Sequence, residues 1–506
     1  MGKLRGFSAW ARTSWPLWFG MGLFWSWLWM VLIKPSGAVF DFLPTAPLLS
    51  HRTVSLVGAL VGAGILLGIT AAHPSRPKTA GNLKKLRIGT VGVYAAITLV
   101  SFLPGYNPLV LQPIEALLTG FVIAQLFVGW GARSTAEATN IVWALSLSLA
   151  AAAGCAVFVF LLDFSKQDLL ALLLPLGSAV LLEKTASPSP TTPTEDASVA
   201  RPEKTTLRRL HGTVLIQGVA IGVWHFLFEI IVFEKCPAEF CIYRELNRIF
   251  TTHGLDDFIG FASMVGFIIA LFLIFVTVRL LHLNFRGLVY QVGLPFMALG
   301  FIAITLNQGF IIENGTHMTG DVFVQGETLH TAGYFYALVI ILILCRHISQ
   351  SWEIDAWPLV SKVVLFLFVG QLAGYVGAFA LNASGISGSD LCLVTVFVLL
   401  FGGLLLATSD SDWRDWGNAT PAEGDRRHGA FRSACDKIAQ AAQLTPRESE
   451  IFILLAKGRN LRFIENRLYI SRDTVKTHLK RIYRKLDVHS QQELIDLVER
   501  SIQKMP

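Results

Sequence analysis

Lys476 and Lys480 stand four residues apart in the run Ser471-Arg-Asp-Thr-Val-Lys-Thr-His-Leu-Lys480, so on a helix they lie one turn apart on one side. Thr477, Arg481 and Arg484 continue the polar side, and Arg472 and Thr474 stand at its start. Cations interleaved with hydroxyls at this spacing suit phosphate attraction and hydrogen bonding to base edges. A second set has a different character. Glu115, His225, Glu229, Glu327 and His330 are ionisable residues inside long apolar stretches. Such groups are costly in hydrocarbon unless they face a cavity or a partner. His225 and Glu229 are four apart and Glu327 and His330 three apart, so each pair shares a helix face. This set suits a ligand or proton site, or else interhelical hydrogen bonds that fix packing.

The cationic run is placed by its neighbours. Thr445-Pro-Arg-Glu448 predicts a helix start, with Thr445 and Glu448 as a capping box and Pro446 where no N–H is needed. The helix is expected to reach about Lys457, with Gly458 as its left-handed cap. Asn460 then caps a second helix, 461–468. Tyr469-Ile-Ser471 makes a three-residue turn, and Ser471 caps the helix that carries the cations. Val475, Leu479, Ile482 and Leu486 form its inward stripe. Two short helices joined in this way make a helix-turn-helix, whose second member enters the major groove. From Leu444 onward there are 13 Lys or Arg against 8 Asp or Glu, so most of the chain's net charge of +7 sits here.

These residues resemble the LuxR-type helix-turn-helix. The likeness is carried by Leu444-Thr-Pro-Arg-Glu-Ser-Glu-Ile451, Leu455-Ala-Lys-Gly458, Ile470-Ser-Arg-Asp-Thr-Val-Lys-Thr-His478 and Arg481-Ile-Tyr-Arg-Lys-Leu-Asp-Val-His489. The resemblance implies base contacts from Lys476, Thr477 and Lys480, and phosphate contacts near Arg472, Thr474 and Arg484. It also implies a fourth helix, opened by the capping box Ser490-Gln-Gln-Glu493, that pairs two chains through Leu494, Leu497, Val498 and Ile502. Where the family usually has Glu-Ile-Ala, the second helix has Phe463-Ile-Glu465, a bulkier residue at a helix crossing. The implied partners are double-stranded DNA and a second copy of the chain.

The rest of the chain is a different material. Of all residues, 53% are hydrophobic and only 15% charged, with a mean hydropathy of +0.54, a composition for the lipid bilayer rather than a water-soluble core. Twelve apolar segments of crossing length occur near 14–33, 53–72, 88–103, 109–130, 141–162, 168–183, 212–233, 258–278, 288–306, 326–345, 363–381 and 391–407. The first follows Lys3, Arg5 and Arg12 without a small-residue cleavage site, as in an uncleaved anchor. With the N-terminus in the cytoplasm, the inside segments hold 18 Lys or Arg and the outside loops 6. The positive-inside rule therefore places both termini in the cytoplasm of a multi-pass cell-membrane protein.

The expected organisation is all-α: a twelve-span bundle over 1–407 with a polar central loop at 184–211, a linker at 408–443, and a four-helix DNA-binding domain at 444–506. Six spans, a long connection and six more resemble the major facilitator superfamily, but that family's acidic and basic loop motif is absent after the second span. In that superfamily spans one, four, seven and ten line the cavity, which would gather Glu115, His225, Glu229, Glu327 and His330. Trp15, Trp18, Trp25, Trp27, Trp29 and Trp224 are aromatic residues of spans one and seven, suited to interface belts and packing or to stacking on an apolar or planar ligand. Cys236 and Cys241 flank Pro-Ala-Glu-Phe in a predicted outside loop, where a disulfide is plausible. No glycine loop for phosphate, kinase signature, hydrolase triad or metal spacing is present, so neither catalytic residues nor a metal or cofactor are expected. Two functions follow. One is a one-component membrane sensor, in which an unknown small molecule controls DNA binding by the tail. The other is a secondary transporter carrying a regulatory or vestigial tail.

Overall fold

A computed structural model describes residues 10–32, 51–72, 76–100, 108–136, 141–160, 164–185, 204–229, 255–281, 283–314, 320–351, 354–407, 435, 438–439, 442–456, 461 and 472–503. The chain separates into two compact units, with the described residues up to 407 in one and those from 435 in the other. The first contains twelve long helices among its described residues. They are α1 Trp15–Leu32, α2 His51–Ala72, α3 Arg76–Val100, α4 Pro108–Ala136, α5 Ile141–Phe160 and α6 Phe164–Lys184. There follow α7 Lys204–Glu229, α8 Leu255–Ile274, α9 Leu294–Asn314, α10 Gly320–Ser351, α11 Ala356–Ala383 and α12 Gly388–Ala407. A π-helical stretch, Phe275–Leu280, prolongs α8, and another, Gly287–Gly293, leads into α9.

The helices outrun the apolar segments at their basic ends. α3 already begins at Arg76 and α7 at Lys204, so residues 204–211 are helical and not part of the central loop. A helix satisfies its own backbone, and Lys or Arg can extend its stem along apolar surface while keeping the charge in water. Six stretches among the described residues are long and apolar enough to cross a membrane: 53–71, 111–135, 141–158, 207–227, 325–350 and 356–383. Shorter apolar windows occur at 264–280, 287–303 and 390–405. α3 is interrupted by Lys84, Lys85 and Arg87, and α6 carries Lys166, Asp168 and Glu183 near its ends.

Packing within this unit repeats. In the first six helices α1 packs on α5 and α6, α2 on α4, and α3 on α4 and α6. In the second six α7 packs on α11 and α12, α8 on α10, and α9 on α10 and α12. Adding six to each helix number converts one set into the other. The two halves meet through α2 with α11 and through α5 with α8, a pair related by the same operation. The tightest crossings use glycine. Gly218 and Gly222 of α7 lie against Gly370 and Gly374 of α11, and a Cβ on Gly222 would overlap the carbonyl oxygen of Gln371. Small residues four apart allow such backbone contact.

The polarity of the unit is inverted relative to a soluble domain. Phe272, Leu306, Phe397, Phe401, Leu404 and Leu405 are exposed on its exterior, whereas Gln125, Gln217, His225, Glu327, His330 and Gln371 are buried. Hydrocarbon is the solvent that accepts such an exterior without penalty. Trp25, Trp27 and Trp29 are fully buried, so these tryptophans of α1 serve packing rather than a rim belt. Trp25 donates to Ser148 Oγ at 3.0 Å.

The second unit contains α13 Pro446–Ala456, α14 Arg472–Leu486 and α15 Gln491–Gln503 among its described residues. Its core joins Ile451, Phe452, Leu455, Val475, Ile482, Val488, Leu494 and Val498, and reaches back to Cys435 and Ala439. Cys435, Ile438 and Ala439 of the linker therefore pack on the C-terminal core.

Candidate nucleic-acid interface and buried polar cluster

The helix that carries the cations is held by its neighbours' ends. Gln443 adopts a positive φ of 48°, and Leu444 N–H donates to Ala439 O at 2.9 Å, which turns the chain into α13. There the capping box closes: Glu448 N–H donates to Thr445 Oγ1 at 3.3 Å, and Thr445 N–H donates to Glu448 Oε2 at 2.9 Å. Lys485 of α14 donates to the same carboxylate oxygen at 2.7 Å and to Gln443 O at 2.9 Å. One carboxylate thus fixes the start of α13 to the end of α14. At the other end of this set, Asp487 has φ 53° and Val488 N–H donates to Tyr483 O at 3.1 Å, a left-handed helix stop. The second capping box also forms, with Glu493 N–H on Ser490 Oγ at 3.1 Å and His489 N–H on Glu493 Oε2 at 2.8 Å. Gln491 Nε2 donates to Leu455 O at 2.9 Å, tying α15 to α13.

The Lys485 hydrogen bond, with that from the Thr445 backbone, holds the Glu448 carboxyl below its ordinary range. A depressed carboxylate stabilises the fold above the unfolded pKa of about 4.3, and that contribution is lost as pH falls through the lower folded value. The Glu448 side chain is only 3% exposed, so Glu448→Gln should destabilise residues 420–506 by about 2 kcal/mol at pH 7. The gap between wild type and variant should close in acid. Urea denaturation at several pH values measures both; a pH-independent gap would contradict the assignment.

α14 presents the expected two faces. Val475 and Ile482 are fully buried, with Leu479 and Leu486 packed at the edge of the core. Thr474, Lys476, Thr477, Lys480, Arg481 and Arg484 are exposed. Lys476 lies 3.9 Å from Asp473, and Thr477 Oγ1 donates to Asp473 O at 2.9 Å. The hydroxyl proton is thus engaged within its own helix, while the oxygen can still accept. The Arg472 backbone opens α14, but its side chain lies outside the described residues, as do Gly458, Asn460, the turn at 469–471 and Phe463-Ile-Glu465.

The expected pairing stripe needs correction. Leu494 and Val498 are 0% and 1% exposed and belong to the core of their own domain. A residue consumed by the monomer's core has no surface to offer a partner. Leu497 is only partly buried, and the Ile502 side chain lies outside the described residues.

In the first unit α7 and α10 bring part of the ionisable set together. Trp224 Nε1 donates to Glu327 Oε2 at 3.2 Å, and Thr331 Oγ1 donates to Glu327 Oε1 at 3.0 Å. His330 stacks on Trp224, with ring centroids 3.8 Å apart and planes 2° from parallel. Phe301 of α9 meets both rings edge-on, and His225 lies within electrostatic reach of His330. Glu229 is in the last turn of α7, its side chain outside the described residues. Glu115 makes a different contact, accepting from Thr98 Oγ1 of α3 at 2.8 Å. Trp224 is the member that sequence reasoning placed with the aromatic residues of span seven and not with the ionisable set. Its place directly before His225 was the available signal. Cys236 and Cys241 lie outside the described residues.

Comparison with known proteins agrees with the geometry of the second unit. Residues 442–498 match the family described as bacterial regulatory proteins, luxR family. The uncharacterized response regulatory protein YgeK of Escherichia coli (strain K12) is 51% identical over 65 residues, 12% of this chain and 44% of that protein. The chain thus spans less than half the length of that relative. Among solved structures, a bacterial homologue of the iron transporter ferroportin in an outward-facing state superposes with a TM-score of 0.45 at 13% identity, covering 79% of this chain and 98% of that one. The C-terminal segment, with its capped helices and exposed cationic face, is a helix-turn-helix domain of the luxR family.

Proposed function

We propose that this chain is a membrane-anchored transcription regulator, in which a polytopic bundle governs sequence-specific DNA binding by the C-terminal domain. The observation that carries the reading is the coexistence of an apolar-surfaced helical unit and a luxR-family domain with an exposed cationic helix face. In this reading all twelve helices α1–α12 cross the bilayer, both termini lie in the cytoplasm, and the domains divide near 407 and 444. Lys476, Thr477 and Lys480 read bases, while Arg472, Thr474 and Arg484 hold phosphates. The Trp224, Glu327 and His330 group, with His225 and Glu229, is the input site for a ligand or proton, and Glu115 forms a separate polar point. Reporter fusions after residue 86 and residue 200 should report cytoplasm, and one near residue 245 the outside. A cytoplasmic report at 245 would overturn the span count.

Two copies on DNA would present two reading helices to half-sites about one helical turn apart. Among the described side chains of the proposed pairing stripe, Leu497 is the one that is partly exposed. Leu497→Asp should abolish paired protection of an operator in footprinting and leave the circular dichroism of residues 420–506 unchanged. Protection of both half-sites by the variant would exclude this interface.

The repeated pairing of helices favours a second reading, a secondary transporter whose tail regulates its own expression. Gel shift and liposome flux separate the two. Specific DNA binding by the intact protein without solute flux supports the regulator, and flux supports the transporter.

A further inference from the structure

α3, α4 and α6 gather four charged groups at the end of the bundle where α3 begins and α4 and α6 finish. Arg87, buried to 3% exposure, donates through Nε to Glu183 Oε1 at 3.0 Å, and its NH2 also reaches that oxygen. Lys84 lies 3.6 Å from the other carboxylate oxygen and is 55% exposed. Arg133, 8% exposed, donates through NH1 to Thr185 O and Thr185 Oγ1. It also stands within electrostatic reach of both Arg87 and Glu183. The Nε of Arg133 is buried and has no hydrogen-bond partner among the described residues. Three cations therefore surround one carboxylate, and a buried guanidinium N–H is unmet. A Cβ at Gly129 would overlap Leu182 Cδ2, at 2.5 Å, and crowd Arg87 NH1, at 3.2 Å.

A local excess of two positive charges with a buried donor to spare is the complement of an oxyanion, because guanidinium groups bind phosphate oxygens with charge-assisted, directional hydrogen bonds. We propose that Lys84, Arg87 and Arg133 form a binding site for a phosphate-type oxyanion, supplied by an anionic lipid headgroup or by a free phosphate compound. The partly exposed side of Lys84 and Glu183 is its entrance, and Arg133 is its innermost donor. The site rests on the topology proposed above for its cytoplasmic placement, where anionic headgroups attract basic residues. Its chemistry does not depend on that placement.

The test uses the full-length protein in detergent. Native mass spectrometry reads retention of phosphatidylglycerol against phosphatidylcholine, and thermal unfolding is compared in sodium phosphate and in sodium chloride at equal ionic strength. Wild type should retain phosphatidylglycerol preferentially, with retention about fivefold lower for each cation removed in Arg133→Gln and Lys84→Gln. Stabilisation by phosphate as well would identify a free oxyanion as sufficient, and retention of the lipid alone would assign the headgroup. Lys84 is 55% exposed, so Lys84→Gln remains informative should Arg133→Gln not fold. Equal lipid retention and equal phosphate response in wild type and Lys84→Gln would overturn the site. Preferential retention combined with reporters that place this end outside would overturn the topology and leave the site standing.

Discussion

Lys476→Ala or Lys480→Ala is expected to weaken binding at a specific DNA site by about 1–3 kcal/mol, roughly 5- to 150-fold, and to relax discrimination at the base each reads. Both residues are exposed on α14, and the stripe of Val475 and Ile482 behind them is fully buried, so truncating a lysine leaves the core untouched. Arg484→Ala should behave differently. Losing a phosphate contact weakens binding evenly across sequences and lowers the salt slope by about one. Fluorescence anisotropy with specific and scrambled duplexes at several salt concentrations separates the two effects. Wild-type affinity for the specific duplex in a Lys476→Ala, Lys480→Ala double variant at physiological salt would remove α14 as the reading helix.

The second large effect lies in the first unit. Glu327 is completely buried and accepts from Trp224 and Thr331, beside the His330 ring that covers the Trp224 face. Glu327→Gln keeps the size, an acceptor oxygen for Trp224 and an amide N–H that the Thr331 hydroxyl can turn to accept, while removing the charge. A site of this kind transmits a signal only if its occupant binds two bundle conformations unequally. The substitution should therefore shift signal-dependent reporter transcription by about 5- to 150-fold, the usual range of a coupling energy between sites. DNA binding by residues 420–506 should stay the same. An identical reporter response in wild type and variant under every condition that alters transcription would assign Glu327 to packing.

Much of this architecture can be read along the chain because its signals are local. Thr445 with Glu448 and Ser490 with Glu493 are three apart in sequence, and each forms the reciprocal bonds that its spacing implies. Each of the twelve apolar segments overlaps one of the twelve helices of the first unit, since a run of apolar residues needs only its own backbone to become helical. Helix ends were less legible. Arg76 and Lys204 begin helices although their surroundings are basic, because a long charged stem does not oppose helical backbone.

What depends on distant residues was not legible. The apolar stripe of α15 is equally consistent with a monomer core and with a partner's surface, and only the packing of Leu494 and Val498 on α13 and α14 assigns them to the core. Trp224 and Glu327 are 103 residues apart, and Arg87 and Glu183 are 96 apart. Neither pair has a signature in spacing. Packing of helices that are distant in sequence, α7 with α10 and α3 with α6, brings them together.

The central claim is that an intact, membrane-embedded chain occupies specific DNA. Crosslinking cells that express the protein tagged at both ends, isolating the membrane fraction, and sequencing the DNA recovered through each tag tests it directly. The proposed function predicts the same discrete sites through the N-terminal and C-terminal tags, lost together in the Lys476→Ala, Lys480→Ala variant. Recovery of those sites through the C-terminal tag alone, from a fragment freed of the bundle, or recovery of no discrete sites by either tag, would contradict it.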